Sequence, residues 1–467
     1  MMNASSTPAS SAAGNLSPVD AFILSLLRVE FGPGAPGEAL PSVPRSPDWG
    51  AVVQRASDLG IAPLLYGIAQ GRSGAEIPEP HARILGTDYA KAWAMNTKNM
   101  VRLAGLLAAF NSAGIRAILL KGTHLALFVY RDVGMRPMAD VDILVRKADL
   151  SAAENLLLGC GYSHRELSPG AYDFLDRDRS GRELARLAEH FRTEHHHLHP
   201  FGSARGIRLL DVHWTLASPS LPFSIDTDGL WQRAERCAVE GAEASVLCPE
   251  DAILHLALHA ASGNTFRVYA LRSLCDIAAI AACHGSRLDW DALCARAREW
   301  KAGRFVYLAL RLAADLHGAR IPDTALALLR PGDFNEAIAC EAARRVLGGE
   351  DRRAAIRRPG MFAPSRGLGA KTSYVLGRIF PHPGEMARIY SLPASSPRVY
   401  LRYPRRLASL LSRYPALYAR FFLYLLTRRG ADPFGYNLDT WLDTGAVTPD
   451  SVGPARHQRL RGDTRHG

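Results

Sequence analysis

The sequence predicts an α+β chain: a small mixed sheet flanked by helices, with helices before it and a large helical part after it. Three observations carry this expectation. Helical periodicity runs long over 81–113, strand patterns crowd between 115 and 214, and helical spacing returns from Pro249 almost to Gly430. At 467 residues the chain is too long for one hydrophobic core, so two or three units are expected.

Taken in order, residues 1–17 are Ser/Ala-rich and read as a flexible tail. Ala21–Val29 is a short apolar helix, followed by a Gly/Pro-rich break through Pro47. Periodicity resumes over Trp49–Ala69, breaks again around 71–80, and then continues through a long helix from His81 to Ala113. Leu103, Leu106, Leu107 and Phe110 give that helix its apolar stripe, and Gly114 stops it. Residues 18–113 therefore form an N-terminal helical region.

The pattern changes at Ile115. Ile115–Leu120 is a nearly continuous apolar run, the mark of a buried strand. Lys121, Gly122 and Thr123 make a turn into a helix beginning at His124, and a loop over 131–138 leads to the alternating strand Asp140–Val145. Ala148–Cys160 is a helix ended by Gly161. Thr193–His199 and Ile207–Trp214 read as two strands joined by a turn containing Pro200, Gly202 and Gly206. Residues 114–235 thus form the core. The spacing over Asp251–Ala261, Tyr269–Cys283, Trp290–Trp300 and Arg304–His317 defines a helical domain at 236–345. A basic helical region follows at 346–430. The last segment, 431–467, has turn-forming composition and is expected to be loosely ordered, with Trp441 as a docking point.

Composition narrows the class. Hydrophobic residues make up 48% and charged residues 22%, as in globular proteins. The formal charge of +11 favours polyanionic partners: nucleoside triphosphates, RNA, or the headgroups of an anionic membrane. Seven cysteines without a C-x-x-C pair argue for a reducing compartment. Met1–Leu16 carries no basic residue before its apolar stretch, so it does not read as a secretory signal. No run reaches the roughly 18 apolar residues of a spanning helix. The expected location is the cytoplasm, with contact at the inner membrane face as a further option.

Asp140 and Asp142 carry the chemistry. Residues two apart on a strand project from one face, so both carboxylates can meet one site. Magnesium takes oxygen ligands and is commonly held by one or two carboxylates plus substrate phosphates. Two acids on one face are the minimal bridge for two such ions, roughly 3.5–4 Å apart, that clamp an in-line displacement. Upstream, Gly122 lets backbone approach a phosphate, and the following helix N-terminus presents free amides. Asp211 supplies a third acid. Alternation places it on one face with Ile207, Leu209 and His213, where a carboxylate is costly unless paired or metal-bound.

The stretch Leu120–Ala126, Tyr130-Arg131-Asp132 and Arg136–Val145 resembles the uncharacterised nucleotidyltransferase family of the DNA polymerase β superfamily. The similarity continues through Gly161-Tyr162, His195–Pro200 and Asp211–Trp214, and more weakly into Pro249-Glu250-Asp251, Leu254-His255-Leu256 and Leu271–Asp276. The Lys-Gly and Arg…Asp-x-Asp pairing is also similar to that of abortive-infection nucleotidyltransferase toxins. The resemblance implies a polymerase-β-like core, with Asp140, Asp142 and Asp211 holding two magnesium ions and Asp211 helping to activate the acceptor. It implies that Gly122 and Thr123 face the triphosphate, although Gly-Ser or Gly-Gly is commoner at that turn. Lys121 and Arg136 become phosphate or structural partners, Arg136 by pairing with an aspartate. The implied reaction moves a nucleoside monophosphate from a triphosphate to a hydroxyl or phosphate acceptor, in a natural-product or polysaccharide pathway. Phosphoryl transfer uses the same metal geometry and stays open. A toxin-like enzyme acting on tRNA and a non-catalytic nucleotide- or membrane-binding scaffold are the alternatives.

Three further features compete for a role. Alternation would put His195, His197 and His199 on one face, which suggests zinc, but only Glu194 stands near to complete a tetrahedral set. A partly buried hairpin face beside the site is the better reading, with His197 or His213 as proton-transfer groups. Arg272 and Asp276 lie one helical turn apart and are expected to pair, unless Arg272 reaches a phosphate. Residues 401–429 interleave arginines such as Arg402, Arg413 and Arg420 with Tyr403, Tyr414 and Phe421. A helix closing the C-terminal domain ranks first there, ahead of a membrane-surface helix or a nucleic-acid face for tRNA.

Overall fold

The structure is a computed structural model. It describes residues 16–32, 48–70, 76–165 and 191–348 apart from 194, 220, 222, 264 and 268, together with 380, 383, 386, 390, 396–413, 438 and 441–442. The apolar helix that closes the basic region in the sequence reading, 415–426, lies outside them, as does most of the segment after 430.

Among the described residues, four helices precede the sheet: α1 (Pro18–Phe31), α2 (Trp49–Asp58), α3 (Ala62–Gln70) and α4 (Glu79–Ser112). The single periodic stretch expected from 49 is split because Gly60 takes φ +72°, a left-handed turn that ends α2. At 34 residues α4 is about 50 Å long. One stripe of it, including Met100, Leu103, Leu107 and Phe110, is buried.

Seven strands form one mixed sheet: β1 (Ile118–Leu119), β2 (Val141–Leu144), β3 (Ser163–His164), β4 (Phe201–Gly202), β5 (Leu210–His213), β6 (Glu235–Val239) and β7 (Ala242–Val246), in the order β3-β4-β5-β2-β1-β7-β6. β2 runs parallel to β5 and antiparallel to β1. Two strand expectations need correction. Thr193–His199 is not a strand; among its described residues only His197 makes an isolated bridge, to His213, and β5 pairs instead with the short β4. The β6–β7 hairpin went unseen inside a region read as helical. Its two-residue loop places Glu240 at φ +46° and Gly241 at φ +83°, the left-handed pair that such a tight hairpin turn requires.

Between β1 and β2, a short helical turn α5 (Lys121–His124) passes into a π-helical segment, Leu125–Val129. Two more helices, α6 (Leu150–Gly159) and α7 (Thr227–Arg233), flank the sheet. The described residues from Pro249 to Val346 are largely helical: α8 (Pro249–Leu258) with a π-helical extension over His259–Gly263, α9 (Ala270–His284), α10 (Trp290–Glu299), α11 (Gly303–His317), α12 (Asp323–Leu329) and α13 (Glu336–Val346). A basic helix, α14 (Arg402–Arg413), lies beyond. No helix among the described residues is long and apolar enough to cross a membrane.

Strand alternation divides the core in two. Val141, Ile143, Leu210 and Val212 face one way and pack with Phe110 and Leu107 of α4 and Leu157 of α6. Ile118, Leu120 and Leu144 face the other way, into a second cluster shared by α1–α3 and α8–α13. The first and last helical thirds of the chain therefore meet over one face of the sheet. Trp441 is fully buried in that cluster, with Arg304 donating to its carbonyl at 2.6 Å.

The loop 131–138 is pinned from both sides. From α4, Tyr89 Oη donates to Asp132 at 2.8 Å, and Asn96 Nδ2 donates to the carbonyls of Val133 and Arg136 at 2.6 and 2.8 Å. From α9, Asp276 receives Arg136 Nε at 2.8 Å on Oδ1 and Nη2 at 2.8 Å on Oδ2, while Tyr130 Oη donates to Oδ1 at 3.0 Å. Asp276 is fully buried and the Arg136 side chain is 12% exposed. Breaking such a pair from one side leaves a buried charge alone. Arg136→Ala is expected to destabilise the fold by about 3–5 kcal/mol. The double replacement Arg136→Met with Asp276→Leu should recover most of that loss. Urea unfolding of the three chains measures both effects, and a single-variant loss near zero would remove the pair as a clamp.

Candidate active site

The acid site lies on the sheet face opposite α4. Because Val141 and Ile143 point into the α4 cluster, Asp142 points the other way. β5 lies in register beside it, with Asp142 opposite Asp211 and Leu144 opposite His213. Parallel pairing thus turns two separate sequence motifs into adjacent carboxylates. Oxygen and nitrogen donors of Asp142, Asp211 and His213 all lie within 4.8 Å of one another. Asp140 sits just before β2, at the end of the pinned loop, and its half-buried carboxyl is within electrostatic reach of Asp142.

Lys121, the first residue of α5 just after β1, closes the group. Its backbone takes φ +40°, a strained conformation for a residue with a side chain. Leu120 N donates to the Asp142 carbonyl at 3.0 Å, and Lys121 Nζ donates to Asp142 Oδ1 at 2.9 Å. His213 Nε2 meets the same oxygen at 2.7 Å. Burial opposes the charge on Asp142, but the Lys121 ammonium and the His213 hydrogen bond outweigh it and hold this carboxyl well below the usual range. His213, fully enclosed, is held neutral chiefly by its burial, so its Nε2 is the donor to the carboxylate.

Asp211 has the opposite environment. Burial, then the neighbouring charges of Asp142 and Asp140, push its carboxyl up to about 8. Its Oδ1 is buried and accepts no hydrogen bond among the described residues. Asp140 is also raised, by burial first and Asp142 second. Asp142 and Asp211, the second with an orphaned buried oxygen, bring hard oxygen donors within 4.8 Å of each other and of His213, while Asp140 stands outside that group. Those donors fit a divalent cation of the magnesium type.

The glycine turn lies differently from the expectation. A Cβ on Gly122 would stand 2.6 Å from Met138 Cγ and 2.7 Å from its Sδ. Thr123 is fully buried, with its hydroxyl 3.9 Å from the same sulfur. Met138 therefore covers the turn, and a phosphate reaches Gly122 and Thr123 only if that flexible side chain moves aside.

The arginines exchange roles. Asp276 is taken by Arg136, so the helical-turn pair Arg272–Asp276 does not form. Arg272 instead donates to the Pro137 carbonyl at 3.1 Å and makes no ion pair among the described residues. It is mostly buried, and burial and Arg136 both weaken its hold on its proton, while Asp140 acts in the other sense. A guanidinium without a carboxylate partner, near the acids, suits an anionic ligand.

Histidines crowd the other side. The donors of His195, His196 and His197 lie within 4.8 Å of one another, and the rings of His196 and His197 stand 5.2 Å from His213. The strand alternation expected to separate His196 from its neighbours is absent because the segment is not a strand. His199 instead stacks on His164 at 4.9 Å. Glu194 lies outside the described residues. His197 is pushed down to about 2, first by burial and then by His213.

His255 and His259 were missed as site residues. They stand one turn apart, at the end of α8 and the start of its π-helical extension, and both interact electrostatically with Lys121, Asp142 and His213. Burial keeps both neutral, His259 down to about 3. An i,i+4 histidine pair on an otherwise apolar helix was the available signal.

The model of a family described as "uncharacterised nucleotidyltransferase" matches residues 45–318, more than half of the chain. No curated protein and no solved structure matches significantly.

The raised Asp211 carboxyl has a consequence for stability. Folding favours its protonated form, so the folded chain binds the extra proton between the ordinary aspartate range near 4 and about 8. Without metal, stability should fall as pH rises through that window. Asp211→Asn removes the repulsion and is expected to stabilise the metal-free chain at pH 8.5 by about 1–3 kcal/mol. Thermal melts in chelator at pH 6 and 8.5 test this; an unchanged difference between the two chains would refute it.

Proposed function

The chain belongs to the uncharacterised nucleotidyltransferase family, and on that premise we propose that it transfers a nucleoside monophosphate from a triphosphate to a hydroxyl or phosphate acceptor. The observation that carries this reading is the in-register pairing of Asp142 with Asp211, which gathers the acids of two motifs beside Asp140 and opposite Lys121. Similar acid sets occur in structural ion-pair networks. Here, however, Asp211 has a buried oxygen that no described residue satisfies.

Asp140, Asp142 and Asp211 would hold a divalent ion, magnesium by their donor type. When bound, such an ion supplies charge neutralisation at the transferring phosphoryl group. The remaining work falls to the chain itself. Arg272, with no carboxylate partner among the described residues, binds a phosphate of the donor. Lys121 and the amides at Gly122 and Thr123 take the neighbouring phosphate oxygens once Met138 swings off the turn. Arg136 acts at one remove: locked on Asp276, it fixes the loop that sets Asp140. His213 holds Asp142 in orientation.

In the reaction, the acceptor oxygen forms a bond to the α-phosphorus as the bond from that phosphorus to the β-bridging oxygen breaks. Pyrophosphate leaves. The acceptor hydroxyl proton passes to the Asp211 carboxylate, with His197 or His213 as the onward route. The protein mainly holds the in-line groups and neutralises charge, which is where catalysis of such transfers resides.

α-Labelled triphosphates incubated with magnesium and fractionated lysate should transfer label to an acceptor, whereas γ-labelled ones should not. The reverse pattern would make the enzyme a kinase, and label in tRNA-sized material would make RNA the acceptor. Asp140→Asn is expected to lower turnover on the order of 100-fold or more with little change in melting temperature. Asp142→Asn should lose activity and stability together, because it leaves the Lys121 ammonium buried without its counter-charge. Full activity in Asp140→Asn would end its proposed role.

A further inference from the structure

We infer that the Lys121 ammonium occupies the place of a second metal ion, so that this site works with one divalent cation rather than two. The inference rests on the proposed nucleotidyltransferase reading and refines its metal content. A two-ion site needs one carboxylate that bridges, giving an oxygen to each ion. Asp142 is the residue placed to bridge, between Asp140 just before its strand and Asp211 on the next strand. Its Oδ1 already accepts two donors, Lys121 Nζ at 2.9 Å and His213 Nε2 at 2.7 Å. A carboxylate oxygen has two lone-pair directions, and both are filled. Only the other oxygen of Asp142 is left for a cation.

Neither donor is a loose surface group. The Lys121 side chain is 15% exposed, Asp142 is 3% exposed and His213 1%. Lys121 is also placed by its backbone: Leu120 N is bonded to the Asp142 carbonyl, and the left-handed φ of Lys121 turns its side chain back over β2. Asp140 and Asp211 both lie within electrostatic reach of the same ammonium. One fixed positive charge thus stands among three acids. A triphosphate would then meet Lys121 directly instead of through a second ion.

Manganese reports the count without relying on turnover, because two manganous ions sharing a carboxylate are magnetically coupled and one is not. The full chain is dialysed against manganese with inorganic tripolyphosphate as the phosphate probe, and the retained ions are counted and examined by electron paramagnetic resonance. One uncoupled ion per chain is expected for the wild type and for Lys121→Arg. Lys121→Met is expected to retain two coupled ions, since Oδ1 is then open. A coupled pair in the wild type would overturn the inference and leave the nucleotidyltransferase reading standing. A single ion in a folded Lys121→Met chain would also overturn it. No retained manganese in the wild type, or equal retention in Asp140→Asn, would sink the metal site itself and the inference with it.

Discussion

The whole arrangement turns on one buried carboxylate. Asp142 is charged and buried on its sheet face, and that is tolerable only because an ammonium and an imidazole N–H both converge on it. Those partners come from different segments, Lys121 from the start of α5 just after β1 and His213 from β5. Satisfying Asp142 therefore sets the register of three strands at once. The same requirement brings Asp211 alongside, since the register that delivers His213 to Asp142 also places residue 211 next to 142. Structure and site are one constraint seen from two sides.

Around that centre the charges are divided unequally. Asp142 has two donors and holds its charge firmly, whereas Asp211 has a buried oxygen with none among the described residues and is pushed toward its neutral form. Two like groups a few ångströms apart are thus tuned in opposite directions, a pattern that marks functional sites more often than structural ones. The arginines show a similar division. Arg136 is fully committed to Asp276 and behaves as scaffold, while Arg272, one helical turn away, keeps its charge uncommitted.

The helical parts act as walls of the site. Helices from before and after the sheet share one apolar cluster on the acid face, so segments distant in sequence meet there. Two segments of the described residues are π-helical, Leu125–Val129 and His259–Gly263. Such bulges re-aim side chains within a helix and recur at functional sites. The second begins at His259, one of the histidines brought up to Lys121 and Asp142.

Local pattern alone determined a good deal: the helical periodicity of α4 and α8–α11, the buried strands at β1 and β2, and the alternation that turns Asp142 away from Val141 and Ile143. These rest on neighbours a few positions apart, and periodicity encodes them directly. Strand limits near the histidines did not follow, because His195–His199 alternates in composition without pairing as a strand. The short β4 and the β6–β7 hairpin, with its Glu240-Gly241 loop, left too weak a pattern. Only the tertiary structure decided who meets whom. It gave Asp276 to Arg136 rather than to Arg272, drew Met138 over the glycine turn, and set His255 and His259 beside the acids. Each of these outcomes depends on contacts between segments distant in sequence, and on burial that raises the cost of every unpaired charge. No local pattern carries that information.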